Sequence, residues 1–194
     1  MRAIAQCRTA ALGGHAWCCE ACGHVEVSYN SCRDRHCPKC QWRNQQQWLS
    51  DREAELLPVP YFHTVFTLPH QLHGLFLPNP EVCLGQLFAA VNETLQEVAR
   101  NPKRLGAQIG FVAVLHTWTQ KLAYHPHVHC IVPGGGLVPG STQWKPSHPK
   151  FFLPIRVLSE VFRAKLLDKL ERVVATDKLH LAPYDPKELL RDAA

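Results

Sequence analysis

The sequence predicts an α+β protein in two parts: a small N-terminal module held together by metal, then a larger part built from strands and helices. Three observations predict it. Seven of the nine cysteines fall between Cys7 and Cys40, in a region with few periodic apolar residues. Two later segments carry their apolar residues on one helical stripe. Two more are short, apolar and β-branched, the pattern of strands. With 46% apolar and 19% charged residues among 194, the chain can fold a core, and its length suits one domain or a small module joined to a larger one.

The elements follow in order. Residues 1–40 cannot build a core from side chains alone, so metal has to hold them. In residues 41–57 Trp48, Leu49, Arg52 and Leu56 stand at helical spacing, which predicts a helix leaving the module, and Pro58 and Pro60 end it. The domain boundary is therefore expected between residues 1–57 and 58–194. Residues 61–68 read as a strand closed by Pro69, and 71–80 as a proline-bounded loop. Leu84, Leu87, Phe88, Val91, Leu95 and Val98 form one face of a helix that Asn101 and Pro102 stop. Residues 110–120 and 127–132 pair as an antiparallel hairpin, after which Gly134, Gly135 and Gly136 read as a flexible turn. Phe151, Phe152 and Leu153 suit a short edge strand. A second helix carries Leu158, Val161, Phe162, Leu166, Leu170 and Val173, and the tail from Pro183 has little pattern and is expected to fray.

Composition narrows the function classes. The longest apolar stretch, around residues 109–115, is too short to cross a bilayer, and Met1-Arg2-Ala3-Ile4 begins no secretory segment. A soluble, cytoplasmic protein without a membrane partner is expected. Crowded cysteines without an export signal argue for metal ligation over disulfides. A net charge of +5, from 21 Lys and Arg against 16 Asp and Glu, fits a nucleic-acid partner without demanding one.

Cys19-Glu20-Ala21-Cys22-Gly23 and Cys37-Pro38-Lys39-Cys40 each hold two cysteines separated by two residues. Each pair can form one edge of a thiolate tetrahedron around zinc, and Gly23 lets the backbone turn toward the metal. The other reading is a small core of reduced, buried thiols. Cys7, His15, Cys32 and His36 could form a second, interleaved zinc site, or some of them could bind nothing. Structural zinc shapes recognition surfaces, and Arg33, Arg35, Lys39 and Arg43 set positive charge beside it, suited to DNA or merely to a solvated face.

The second informative segment is His125-Pro126-His127-Val128-His129-Cys130. On a strand His127 and His129 project to one side, a two-histidine metal face. On the partner strand His116, Trp118 and Gln120 share a face. Gln120, near the hairpin turn, is the expected third ligand through its amide oxygen. Such a site has little charge of its own and positions left for substrate, which suits magnesium or manganese carrying a phosphate. The plain alternative is a pair of half-buried strand histidines bonded to their neighbours.

Together these segments resemble a known family. Cys7-Arg8-Thr9 with Gly13-Gly14-His15, Ser31 through Gln41, Pro60-Tyr61-Phe62-His63 with Phe66-Thr67-Leu68-Pro69, and His125 through Cys130 are similar, in this order, to rolling-circle transposases of the insertion sequence 91 type. The resemblance implies a zinc-binding domain followed by a nuclease domain of the His-hydrophobic-His superfamily, with a central antiparallel sheet and helices packed on one side. It implies that His127 and His129 are the paired metal ligands. Gln120 stands where related replication initiators place an acidic ligand, a departure from the pattern. The metal is expected to polarise the scissile phosphate of single-stranded DNA at the element's ends.

In that family a tyrosine on a later helix attacks the phosphate, giving a phosphotyrosine link and a free 3′ hydroxyl. Tyr29, Tyr61, Tyr124 and Tyr184 are the tyrosines here. None matches that helix, which the chain ends too early to include, and Tyr184 between prolines is a weak candidate. The expectation is a truncated transposase that binds single-stranded DNA and metal. The alternative is a catalytically inactive, zinc-dependent DNA-binding or regulatory protein.

Overall fold

The structure is a computed structural model that describes residues 2–176, 179–180 and 185–193. The chain divides into two compact units, Met1–Leu57 and Pro58–Ala194. In the first, α1 (Arg2–Ala5) leads through a 3-10 turn into an antiparallel hairpin of β1 (Gly14–Cys18) and β2 (Val25–Tyr29), and α2 (Pro38–Ala54) closes the unit. The hairpin was not expected from the sequence. Val25, Val27 and Tyr29 do alternate, but all three are exposed, so no apolar face marks the strands. α2 begins at Pro38, a residue whose missing N–H costs nothing in a first helical turn, and it buries no side chain. Cys7 and Cys37 are the buried side chains of this unit among the described residues. A unit so poor in apolar burial needs another source of stability.

The second unit is built on a three-stranded antiparallel sheet of β3 (Tyr61–Thr67), β4 (Val112–Trp118) and β5 (Tyr124–Pro133), in the order β3-β5-β4. α3 (His73–Phe76) and α4 (Pro80–Arg100) separate the first strand from the hairpin. The sheet's inner face carries Phe66, Val128, Cys130 and Val132 into a core shared with Leu87, Val91 and Leu95 of α4. α5 (Ile155–Val174) adds Leu158, Phe162, Leu166 and Leu170, with the Phe66 and Phe162 rings 5.0 Å apart. The helical stripes of α4 and α5 were legible in the sequence because burial follows their period. The opposite face of the sheet stays open, with Val65, Val114, Trp118 and Ile131 exposed beside the histidines.

Four expectations fail in this unit, the first being the loop over residues 71–80, which holds α3 and the start of α4. The glycine run is not a flexible turn, because β6 (Gly135–Leu137) pairs with β7 (Trp144–Pro146) and all three glycines are buried. A Cβ on Gly136 would stand 2.4 Å from the Gln108 carbonyl oxygen, so close backbone approach, exchanged between Gln108 and Leu137 at 2.8 and 2.9 Å, explains the glycine. Phe151 forms an isolated bridge to His148 and no edge strand. The tail ends in α6 (Pro186–Asp192), which buries Leu190 against the core. Asn79 helps to hold the chain before it, donating to the His180 carbonyl at 3.0 Å and accepting the His180 N–H at 2.7 Å. Among the described residues no helix is long and apolar enough to cross a membrane.

Candidate metal centres

In the first unit the cysteines of three segments converge. Cys7 follows α1, Cys32 follows β2, and Cys37 and Cys40 span the start of α2. Their four sulfurs lie within 4.8 Å of one another, with Cys7 to Cys40 at 3.5 Å and Cys32 to Cys40 at 3.6 Å. A zinc-sulfur bond of about 2.3 Å implies tetrahedral edges of about 3.8 Å, so the cage is near the size zinc takes. Backbone amides already point at the sulfurs: the Cys32 N–H donates to Cys7 Sγ at 3.4 Å. At Cys32 a hydrogen bond from the Asp34 amide favours the thiolate, but burial and the neighbouring thiols outweigh it and push the thiol up to about 12. At Cys40 burial is opposed by hydrogen bonds from Cys7, Cys32 and the Arg33 amide, which bring its thiol down to about 7. Thiolates this close repel one another, and a divalent cation is the partner that relieves the repulsion. The donor set and its size fit structural zinc.

This cage is not the expected set. Cys37 and Cys40 are joined by Cys7 and Cys32, while Cys19 and Cys22 sit at the far turn of the β1-β2 hairpin. A five-residue strand rising about 3.4 Å per residue carries that turn roughly 15 Å from the base of the hairpin, where the Asn30 N–H meets the Gly13 carbonyl. Cys19 and Cys22 remain a pair, and amides of Cys22 and Ala21 together with the Cys22 thiol lower the Cys19 thiol. The interleaved set is split as well. His15 is exposed on β1 opposite Ser28, and His36 accepts a hydrogen bond from Arg35 Nε at 3.1 Å. Of the expected DNA-binding residues, Lys39 Nζ is bound to the Cys7 carbonyl at 2.9 Å, and Arg35 is held by His36. Arg33 lines an open hollow, and Arg43 lies on the exposed helix α2.

In the second unit the open face of the sheet gathers His116, His127 and His129, whose ligand nitrogens lie within 4.8 Å of one another. The register makes this unavoidable, since His116 stands opposite His127 and Val114 opposite His129. Ring centroids are 4.4 Å apart for His116 and His129 and 4.8 Å for His127 and His129. His127 Nδ1 donates to the His125 carbonyl at 2.7 Å, which leaves Nε2 with a free lone pair. His129 Nδ1 lies 2.7 Å from His63 Nε2, and its Nε2 is buried without a hydrogen-bond partner among the described residues. Burial, and then the nearby His116, His127 and His63, keep the His129 ring below its ordinary protonation range. Three imidazoles grouped in this way fit a divalent metal.

His116 is the third residue grouped with His127 and His129, where Gln120 was expected. The register shifts between His116 and Trp118, which still pairs with Tyr124, and Gln120 lies in the turn that Thr119 and Ala123 close. His116 was on the expected face; preferring a residue nearer the turn missed it. His63 was missed altogether. Its alternation along β3 placed it on the open face, but only the pairing of β3 with β5 brings it to His129. Tyr124, at the start of β5, packs edge-on to His73 at 5.4 Å, and burial raises its phenol. Tyr184 lies outside the described residues.

Comparison with known proteins gives the following. Residues 1–68 match the transposase zinc-binding domain family, and residues 110–193 match the family described as "Putative transposase". The chain is 55% identical over 179 residues to "Putative transposase y4qJ" of Sinorhizobium fredii, covering 92% of this chain and 45% of that protein. It is 38% identical over 133 residues to the transposase for insertion sequence element IS801 of Pseudomonas savastanoi pv. phaseolicola, covering 68% and 32%. The chain thus spans less than half the length of these curated relatives. Among solved structures it is similar to the conjugative relaxase TrwC in a metal-bound complex with OriT DNA, with 18% identity, a TM-score of 0.45, and coverage of 57% and 43%.

Proposed function

The chain belongs to the insertion sequence 91 type of transposases, with the zinc-binding domain in residues 1–68 and a transposase domain in 110–193, and from this we propose how its two centres serve DNA transposition. Residues 1–57 are a zinc-held DNA-binding domain, and residues 58–194 carry the metal site of a nuclease that acts on single-stranded DNA at the element's ends. The observation that carries the reading is the three-imidazole face, in which His129 Nε2 is buried, without a partner among the described residues, and grouped with ligand nitrogens of His116 and His127.

These three residues would hold magnesium or manganese, which when bound supplies Lewis-acid polarisation of a phosphodiester oxygen. His127 is kept in the required tautomer by the His125 carbonyl, and His129 by His63. The open sheet face leaves room for an extended DNA strand beside them. The transposition reading requires a tyrosine oxygen that attacks the phosphorus and releases its proton, as the bond to the 3′ oxygen breaks and that oxygen takes up a proton. The 3′ hydroxyl so released can later attack the phosphotyrosine and rejoin the strand. Calorimetric titration of zinc-loaded chain with manganese is expected to show one further site, lost in His129→Ala. Wild-type chain that takes up no manganese overturns the metal reading.

A further inference from the structure

Two arginines of the first unit hold a backbone conformation that glycine adopts freely and side chains resist. Arg8 has φ 56° and Arg33 has φ 54°; among the described non-glycine residues only Leu122, in a hairpin turn, shares this sign. Each arginine directly follows a cysteine of the sulfur cage, Cys7 and Cys32. At Arg33 the backbone lies against the cage, with the Arg33 amide toward Cys40 and the Asp34 amide toward Cys32. At Arg8 the amide is fixed on the Asn30 carbonyl at 3.0 Å. Glycine would meet both demands without steric cost, so a side chain kept there is an outlier that points to use.

The two residues border the same hollow. Arg8 and Arg33 line one open hollow of about 750 Å³, together with Tyr29, Asn30 and Ser31, and among the described residues no carboxylate lines it. Among the described residues neither guanidinium is in a salt bridge, although the neighbouring Arg35 and Lys39 are bonded within the fold. Asn30 is fixed at the rim by its Nδ2 on the Leu12 carbonyl at 3.0 Å. Two unpaired guanidiniums beside hydroxyl and amide groups recognise a phosphate oxyanion, and arginine does so through paired N–H donors.

We infer that Arg8 and Arg33, each next to a cysteine of the sulfur cage, form a cradle for a backbone phosphate of DNA. The inference rests on the DNA-binding reading above and names the contact. The test is anisotropy of a labelled single-stranded 20-mer with zinc-loaded chain over a salt series, for wild type, Arg8→Gly, Arg33→Gly and Arg8→Lys. Each glycine variant is expected to bind about three- to tenfold more weakly at low salt and to lower the slope of log K against log salt by about 0.7. Its melting temperature and zinc content should not fall, because glycine relieves the backbone. Arg8→Lys should restore the slope but not the full affinity. Glycine variants with the wild-type slope, or with losses that track falling zinc content, overturn the cradle and leave DNA binding standing. Wild-type chain that binds no DNA overturns both. Competition by millimolar inorganic phosphate that the glycine variants escape, without a change in DNA slope, marks a free-phosphate site and also overturns it.

Discussion

His63 shows how one residue can decide the behaviour of a site it does not belong to. A metal ligand must offer a lone pair, so a neutral His129 that binds through Nε2 carries its proton on Nδ1, and His63 Nε2, 2.7 Å away, is the acceptor. The rings are also nearly parallel, 7° apart in plane with centroids 5.0 Å apart, so they meet edge to edge as the hydrogen bond requires. Replacing His63 by Phe keeps the ring and removes the acceptor. Manganese affinity measured by calorimetry is expected to fall about 10- to 100-fold, as for other partners of ligating histidines. His63→Gln, which supplies an acceptor without the ring, should recover part of the loss. Equal affinity of wild type and His63→Phe would falsify this positioning role.

At the scale of elements, α4 and α5 share a core and are also bridged at the surface. Lys165 Nζ stands 2.8 Å from Glu97 and 3.7 Å from Glu93, and Lys169 pairs with Glu93 at 2.5 Å. The Lys169 hydrogen bond, and then the charges of Lys169 and Lys165, hold the Glu93 carboxyl below its ordinary range. A lowered carboxylate stabilises the fold fully above the ordinary glutamate range, about pH 4.3, and the contribution is lost as the pH falls through the lowered value. Glu93 is half exposed, so solvent screens the pair. Glu93→Gln is expected to cost on the order of 0.5 kcal/mol in urea unfolding at neutral pH. The two proteins should converge as acid protonates Glu93; a difference that persists unchanged into acid rules out the ion pair as its source. The same two helices were readable in the sequence because an apolar stripe reports burial. β1 and β2 were not, because exposed strands leave no apolar side to detect.

For the whole molecule, the two units draw stability from different sources. Unit Pro58–Ala194 has the core of Phe76, Leu87, Leu95 and Leu170, whereas Met1–Leu57 has its sulfur cage and hardly any apolar burial. Removing zinc with a chelator should therefore open residues 1–57 to trypsin and leave the second unit's cooperative unfolding in place. A zinc-free chain as resistant in residues 1–57 as the loaded one would contradict the cage as their support. Sequence alone determined that cysteines would need metal, that α4 and α5 would be helices, and that His127 and His129 would face one side, because spacing within a single element sets these. Tertiary structure decided which partners complete each site. Cys7 and Cys32 join Cys37 and Cys40 because a hairpin carries Cys19 and Cys22 away, and His116 and His63 reach His129 because strand order and register place them there. Such contacts join residues far apart in the chain, and the periodicity of one segment holds no record of its neighbour's register.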